Sequence, residues 1–246
     1  MSCAQIIVID CPVYEHMSLI PKPLQRGLEA ALSPIVAWLI DRQTNPNVLT
    51  TFGTLVLIGS GVAYGFGVAR LGGALLLLSG VFDMLDGKVA RGREVVSKFG
   101  AFYDSTLDRV GESALYTGIA LYFVSGGVPD RIVLPAVGIT ITTLACSLMV
   151  SYARARAEGL GLECKVGIAQ RAERILGLGV PSLFFGAGPS GLLLLGIVTF
   201  LALIASYTVI QRIVHVRTVA TQKTQRKTQA RLNAPVLAEF DPKGKQ

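Results

Sequence analysis

The sequence predicts an all-α integral membrane protein, with six transmembrane helices behind an N-terminal amphipathic juxtamembrane helix and both termini cytoplasmic. Three observations predict it. The chain of 246 residues is 51% hydrophobic and only 16% charged, with a mean hydropathy of +0.55, whereas a soluble domain carries roughly 25% charge. Its apolar residues gather in runs long enough to cross ~30 Å of hydrocarbon. Its Lys and Arg residues fall almost entirely in alternate connections. A disordered chain lacks such apolar content, and a membrane β-barrel would show sustained alternation in segments of about ten residues.

Residues 1–23 are read as an N-terminal extension. Ile6–Ile9 is too short and lacks the basic flank of a secretory signal; Met17 is the expected functional start. From 24 to 42 Leu24, Leu28, Leu32, Ile35, Val36 and Leu39 recur at helical spacing beside Lys22, Arg26 and Arg42. This suits a helix in the interface plane, its apolar face in lipid and its cations near anionic headgroups. The competing reading is a helix packed on the bundle in water. Trp38 fits a headgroup boundary.

The six spans run over Leu49–Gly67, Leu71–Val89, Tyr103–Val124, Ile132–Ser151, Ile175–Ala187 and Leu192–Ile210. Small residues among the Leu, Val and Ile allow close helix approach. The fifth run is short and either extends back through Ala172 or sits tilted. Of the 23 basic residues, Arg70 and Arg131 alone lie in the loops after spans one and three, none lies after span five, Arg109 is inside span three, and Lys88 is at the cytoplasmic end of span two. The rest mark the N-terminal region, the loops after spans two and four and the tail as cytoplasmic. With both ends inside, an even number of spans follows. The transmembrane domain covers 24–215, and 216–246 forms a basic tail, loosely ordered from Thr221 onward. The formal charge of +7 thus reflects topology, and no nucleic-acid partner is expected. Cys3, Cys11 and Cys164 are placed on the cytoplasmic side and Cys146 in a span, so structural disulfides are not expected.

The stretch from Phe82 to Glu112 carries the chemistry. Asp83 and Asp86 are three apart at the cytoplasmic end of span two; Asp104 and Asp108 are four apart in span three. These spacings put each pair on one helix face, and the short connection lets the faces meet. Helix-end carboxylates paired with Lys88, Arg91, Arg93 and Lys98 are the plain alternative. Two such pairs with Gly87, Ala90 and Gly100 between them point instead to divalent cations. Four carboxylates without Cys or His favour Mg²⁺, then Mn²⁺, over zinc. Two cations so held suit phosphoryl chemistry.

The pattern Asp83-x2-Asp86-Gly87-x2-Ala90-Arg91-x8-Gly100-x3-Asp104-x3-Asp108 resembles the full signature of the CDP-alcohol phosphotransferases, with all eight fixed residues present. With the six-span plan and the amphipathic helix, the resemblance covers Leu24 to Arg212. It implies transfer of a phosphatidyl-type group from a CDP-linked lipid to an alcohol, with release of CMP. It implies two metal ions, one on Asp83, Asp86 and Asp104 and one on Asp83, Asp104 and Asp108, with Asp108 also the general base. It implies that Pro46, Asn47, Val48, Leu49, Gly87, Arg91 and Ser97 contact the CDP-lipid, and that the protein is a homodimer. Asn45 or Asn47 also reads as a helix cap.

Ser151, Arg154 and Arg156, with Arg171 and Arg174, flank the loop between spans four and five, and Arg212 ends span six. So many guanidinium groups suit an anionic acceptor, although orientation and attraction to anionic lipid also favour basic residues there. The set resembles the acceptor pocket of the bacterial phosphatidylinositol phosphate synthases within the family, with one departure, Arg154 where those enzymes usually carry Lys. The expected partners are therefore CDP-diacylglycerol, inositol phosphate and membrane lipids, at the cytoplasmic face of the cell membrane. Glycerol-3-phosphate is the rival acceptor, and an ion-coupled transporter is the rival of another class. Glu112, one turn beyond Asp108, either tunes the proton taken there or pairs with Arg109.

Overall fold

The computed structural model describes residues 22–162, 164, 166–167 and 171–232. The expected start at Met17, Cys3, Cys11 and the tail beyond 232 lie outside them. Among the described residues seven α-helices follow one another: α1 (Lys22–Asp41), α2 (Pro46–Gly65), α3 (Ala69–Gly92), α4 (Lys98–Tyr122), α5 (Asp130–Gly159), α6 (Arg171–Phe185) and α7 (Leu192–Leu232). No strand occurs among the described residues.

Among the described residues three helices are long and apolar enough to cross a membrane: Pro46–Gly65, Asp130–Gly159 and the stretch Pro189–Gln222 containing most of α7. The other three runs named from the sequence are also helical. However, α3 and α4 carry the acidic and basic side chains of the motif, and α6 has only 15 residues. The same residues that make the site lower the apolar content of its helices.

Local chemistry sets the ends of these helices. Asn45, rather than Asn47, caps α2, its side chain accepting from the Asn47 amide at 3.0 Å, and Pro46 opens the first turn. Ser97 caps α4 by accepting from the Gly100 amide at 2.9 Å. Between α4 and α5 a π-helical turn over Phe123–Gly127 closes on Gly126 in the left-handed region.

Close packing aligns the helices. α2 lies against both α3 and α4, α3 against α6, and α5 against α7. Where α2 meets α4 the backbones nearly touch: a Cβ on Gly61 or Gly118 would overlap the opposite main chain. A main core around Tyr64, Leu76, Ile119, Phe123, Leu178 and Val198 occupies the middle of the bundle. A second cluster joins Leu32 and Leu39 of α1 to Leu49, Leu85 and Val89. The apolar residues of α1 are thus divided. Leu32 and Leu39 pack on the bundle, whereas Ile35 and Trp38 are exposed, and the Arg42 guanidinium lies 5.3 Å from the Trp38 ring centroid.

One sequence expectation fails. The chain from Thr221 is not a loose arm: α7 continues without a break to Leu232. No Pro or Gly interrupts 197–232, and the Thr, Gln, Lys and Arg residues there are compatible with a helix.

Candidate functional site

Among the described residues α3 and α4 each pack on α2 without backbone contact between them, and their side chains bring the carboxylates together. One oxygen from each of Asp83, Asp104 and Asp108 lies within 4.8 Å of the others. Asp86, one turn beyond Asp83, turns to α2 instead, where the Thr50 hydroxyl donates to its Oδ2 at 2.7 Å. Like charges so close need compensation. Arg171, at the start of α6, supplies part of it: its Nη1 donates to Asp83 Oδ1 at 2.8 Å and also pairs with Asp108.

Two cavities adjoin this cluster. The first, about 740 Å³, is lined by Asn45, Pro46, Asn47, Thr50, Asp86, Gly87, Ala90, Arg91, Arg93, Val95, Val96, Ser97 and Gly100. Gly87 faces the Arg91 guanidinium, which a Cβ at this position would meet at 3.5 Å, an ordinary contact. Arg93 ties down the rim, donating to the carbonyls of Gln43 at 2.9 Å and Thr44 at 2.7 Å. Val48 and Leu49, although grouped with Pro46 and Asn47 in the sequence, do not line this cavity: Val48 is exposed and Leu49 is packed toward α1. Successive helical residues diverge by ~100°, so four in a row cannot share one face.

The second cavity, about 800 Å³, is lined by Asp104, Asp108, Arg109, Glu112, Ser151, Arg154, Glu158, Arg171, Arg174 and Arg212. Arg156 is not among its lining residues and is exposed. Two positions beyond Arg154, it emerges ~200° around α5. Arg154 pairs with Glu158 at 2.9 Å on the exposed rim. Arg212 is buried and ties α7 to α5 and the loop after it, its Nε donating to the Val166 carbonyl of that loop at 2.9 Å and its Nη1 to the Val150 carbonyl of α5. In the same loop Gly167 adopts a φ of +139°, and a Cβ would meet Thr208 Cγ2 at 2.7 Å, so the loop closes on α7 only with glycine there. Cys164 is fully buried nearby, and burial pushes its thiol up from the ordinary value.

Ala101 and Asp104 border both cavities. One carboxylate of the cluster therefore faces two binding spaces. Asp104 Oδ1 is buried without a hydrogen-bond partner. An all-oxygen donor set with a buried oxygen lacking a donor fits a hard divalent cation.

The family model for CDP-alcohol phosphatidyltransferase matches residues 43–223, which include both cavities. The chain belongs to the CDP-alcohol phosphatidyltransferase family. It is a transferase of phospholipid biosynthesis. The chain is 39% identical over 193 residues to a phosphatidylinositol phosphate synthase of Streptomyces avermitilis, covering 76% of this chain and 78% of that one. It is 43% identical over 139 residues to an archaetidylinositol phosphate synthase of Methanothermobacter thermautotrophicus, covering 56% and 66%. Among solved structures, the phosphatidylinositol phosphate synthase of Mycobacterium tuberculosis with manganese and citrate superposes with a TM-score of 0.65 at 32% identity, over 75% of this chain and 88% of that one. The same protein with CDP-DAG bound gives 0.64 at 30%, over 74% and 92%.

Four features of this phosphatidyltransferase site escape the sequence reading. Thr50 holds Asp86; its signal is a hydroxyl one turn inside an otherwise apolar helix start. Thr51 and Tyr103 share a hydrogen bond of 2.9 Å that joins α2 to α4. Arg93 fixes the turn after α1. Glu112 pairs with Arg174 of α6 at 3.1 Å, whereas Arg109 bonds the Ser105 carbonyl of its own helix. No local spacing signals that last pair, which exists only once α6 is in place.

Proposed function

We propose that the protein transfers the phosphatidyl group of CDP-diacylglycerol to a hydroxyl of inositol phosphate and releases CMP. The observation that carries this reading is the junction of two cavities at Asp104. One is bordered by the glycine-bearing motif and Arg91, the other by arginines on three helices, with the carboxylate cluster between them. The named activities of the relatives above support the choice of acceptor.

In this reading the first cavity takes the CDP portion, with Arg91 against phosphate and Gly87 and Gly100 leaving room for it. The acyl chains remain in lipid. Arg154, Arg171, Arg174 and Arg212, with Ser151, hold the acceptor's phosphate and set its hydroxyl toward the cluster. Asp83, Asp86, Asp104 and Asp108 would hold the divalent ions, Mg²⁺ or Mn²⁺, whose chemistry is to neutralise the diphosphate and orient its displacement. Asp108 takes the proton of the attacking hydroxyl. The new bond joins the inositol oxygen to the phosphorus bearing diacylglycerol, the bond from that phosphorus to the bridging oxygen breaks, and CMP departs with the electron pair.

The membrane placement belongs to the same proposal. Six spans in the cell membrane, both termini cytoplasmic, put the cluster at the inner leaflet, where the soluble acceptor arrives. The distribution of Lys and Arg supports this orientation. A homodimer follows the family resemblance.

The test is direct. Membranes containing the protein are incubated with CDP-diacylglycerol, Mg²⁺ and either inositol phosphate or glycerol-3-phosphate, and CMP is measured. Release with inositol phosphate alone is expected; release with glycerol-3-phosphate alone would replace the acceptor. Asp108→Asn should lower kcat by roughly 10²–10⁴-fold while Mn²⁺ still binds. Near-normal turnover in that variant would remove the base assignment.

A further inference from the structure

We infer that Glu112 is a positioning residue for the acceptor: it reaches across from α4 to hold Arg174 and so sets the shape and charge of the second cavity's inner end. The inference rests on the proposed reading of that cavity as the acceptor site.

α4 and α6 do not touch through their backbones. Among the described residues no Cα of one lies within 8 Å of a Cα of the other, and side chains span the gap. Asp108 and Glu112 are one turn apart on α4; Arg171 and Arg174 are one turn apart on α6. The outer pair joins Asp108 to Arg171, and the inner pair joins Glu112 to Arg174 at 3.1 Å. The spacings i,i+4 and i,i+3 match, so the two rungs fix both the separation of the helices and their register.

The inner rung differs from the outer one in burial. The Arg174 side chain is 6% exposed and that of Glu112 12% exposed, against 26% for Arg171. Leu57, Leu76, Leu115, Ile175 and Leu178 surround it. In such surroundings a guanidinium is held by its counter-charge far more firmly than at a surface. Both residues also line the cavity that would take the acceptor. A carboxylate at the inner end of an anion pocket opposes the ligand's charge, so its presence there calls for a positional role. By holding Arg174 at this end, it fixes where the guanidinium stands against the cavity and limits how deeply a phosphate enters.

The experiment uses the full-length protein in detergent–lipid micelles. Wild-type turnover with inositol phosphate is measured first, and its absence would overturn both the acceptor reading and this inference. With that activity present, Glu112→Gln should raise KM for inositol phosphate about tenfold. KM for CDP-diacylglycerol should stay close to wild type; the melting temperature should fall, because Arg174 loses a buried counter-charge, so the kinetics are measured well below the transition. Glu112→Asp, which keeps the charge, should recover part of the loss. Glu112→Gln combined with Arg174→Gln should be no worse than Arg174→Gln alone, the non-additivity expected of residues acting through one contact. An unchanged acceptor KM, an additive double variant, or a parallel loss in kcat and both KM values would each overturn the inference while leaving the acceptor reading in place.

Discussion

At the scale of single residues, Thr50 shows how an unremarked hydroxyl supports an acidic cluster. Asp86 is buried at 6% exposure and accepts from Thr50 at 2.7 Å. A donor to a buried carboxylate contributes about 1.5–3 kcal/mol, and the larger cost falls on the charged form left without it. Thr50→Val keeps the shape and removes the donor. It should raise the Mn²⁺ concentration for half-saturation by roughly tenfold, at ~1.4 kcal/mol per decade, as read by electron paramagnetic resonance of free Mn²⁺. Thr50→Ser should restore it. A valine variant that binds Mn²⁺ as the wild type does would show that the Thr50 bond to Asp86 does not support the cation site. The motif aspartates were legible in the sequence because carboxylates rarely enter apolar helices without a reason. Thr50 was not, because hydroxyls enter such helices readily by bonding the carbonyl four residues back, as Thr54, Thr140 and Thr208 do here. Arg156 stands outside the second cavity because residues two apart leave a helix on nearly opposite sides, a rule that the spacing itself carries.

At the scale of helices, glycine positions explain why the site holds its shape in a bundle made largely of aliphatic side chains. Gly118 of α4 sits on Gly61 of α2, where a Cβ would overlap the carbonyl. Those two helices carry Asp104 and Asp108 on one side and Thr50 and Thr51 on the other, so their separation controls the cluster. Gly118→Ala should therefore destabilise the protein by about 1–3 kcal/mol through forced displacement, lowering the melting temperature in detergent. Gly138→Ala is the control: nothing lies within 4 Å of the added Cβ, and helix propensity alone favours alanine by about 1 kcal/mol. Equal behaviour of the two variants would mean that the α2–α4 contact is looser than described. The positions of the helices were legible from hydropathy, whereas their partners were not. A run of apolar residues identifies what is buried without naming the surface that buries it. The same limit explains α7, whose polar continuation to Leu232 offered no apolar stripe and so looked like tail.

At the scale of the whole molecule, charge and burial make one picture with the carboxylates at one end of the bundle. Arg70 and Arg131 sit in the first turns of α3 and α5, at the end away from the motif, whereas Arg91, Arg93, Arg154, Arg156 and Arg217 lie toward the end that carries it. This asymmetry argues that Val68 and Asp130, both exposed, face outward, and that Glu94 and Gln222, also exposed, face the cytoplasm. Single cysteines at those four positions test it, in a background with Cys3, Cys11 and Cys146 replaced by serine. Cys164 can remain, because it is fully buried and its raised thiol pKa reduces the reactive thiolate at neutral pH. A membrane-impermeant maleimide applied to intact cells should label Val68→Cys and Asp130→Cys at once, and Glu94→Cys and Gln222→Cys only after permeabilisation. Reversed labelling would place the carboxylates at the outer leaflet, away from cytoplasmic inositol phosphate. Labelling of Glu94→Cys and Gln222→Cys from opposite sides would mean that the chain crosses an odd number of times between α3 and the end of α7. Either result would remove the topology on which acceptor access depends, even though the fold and the cation cluster would be unchanged.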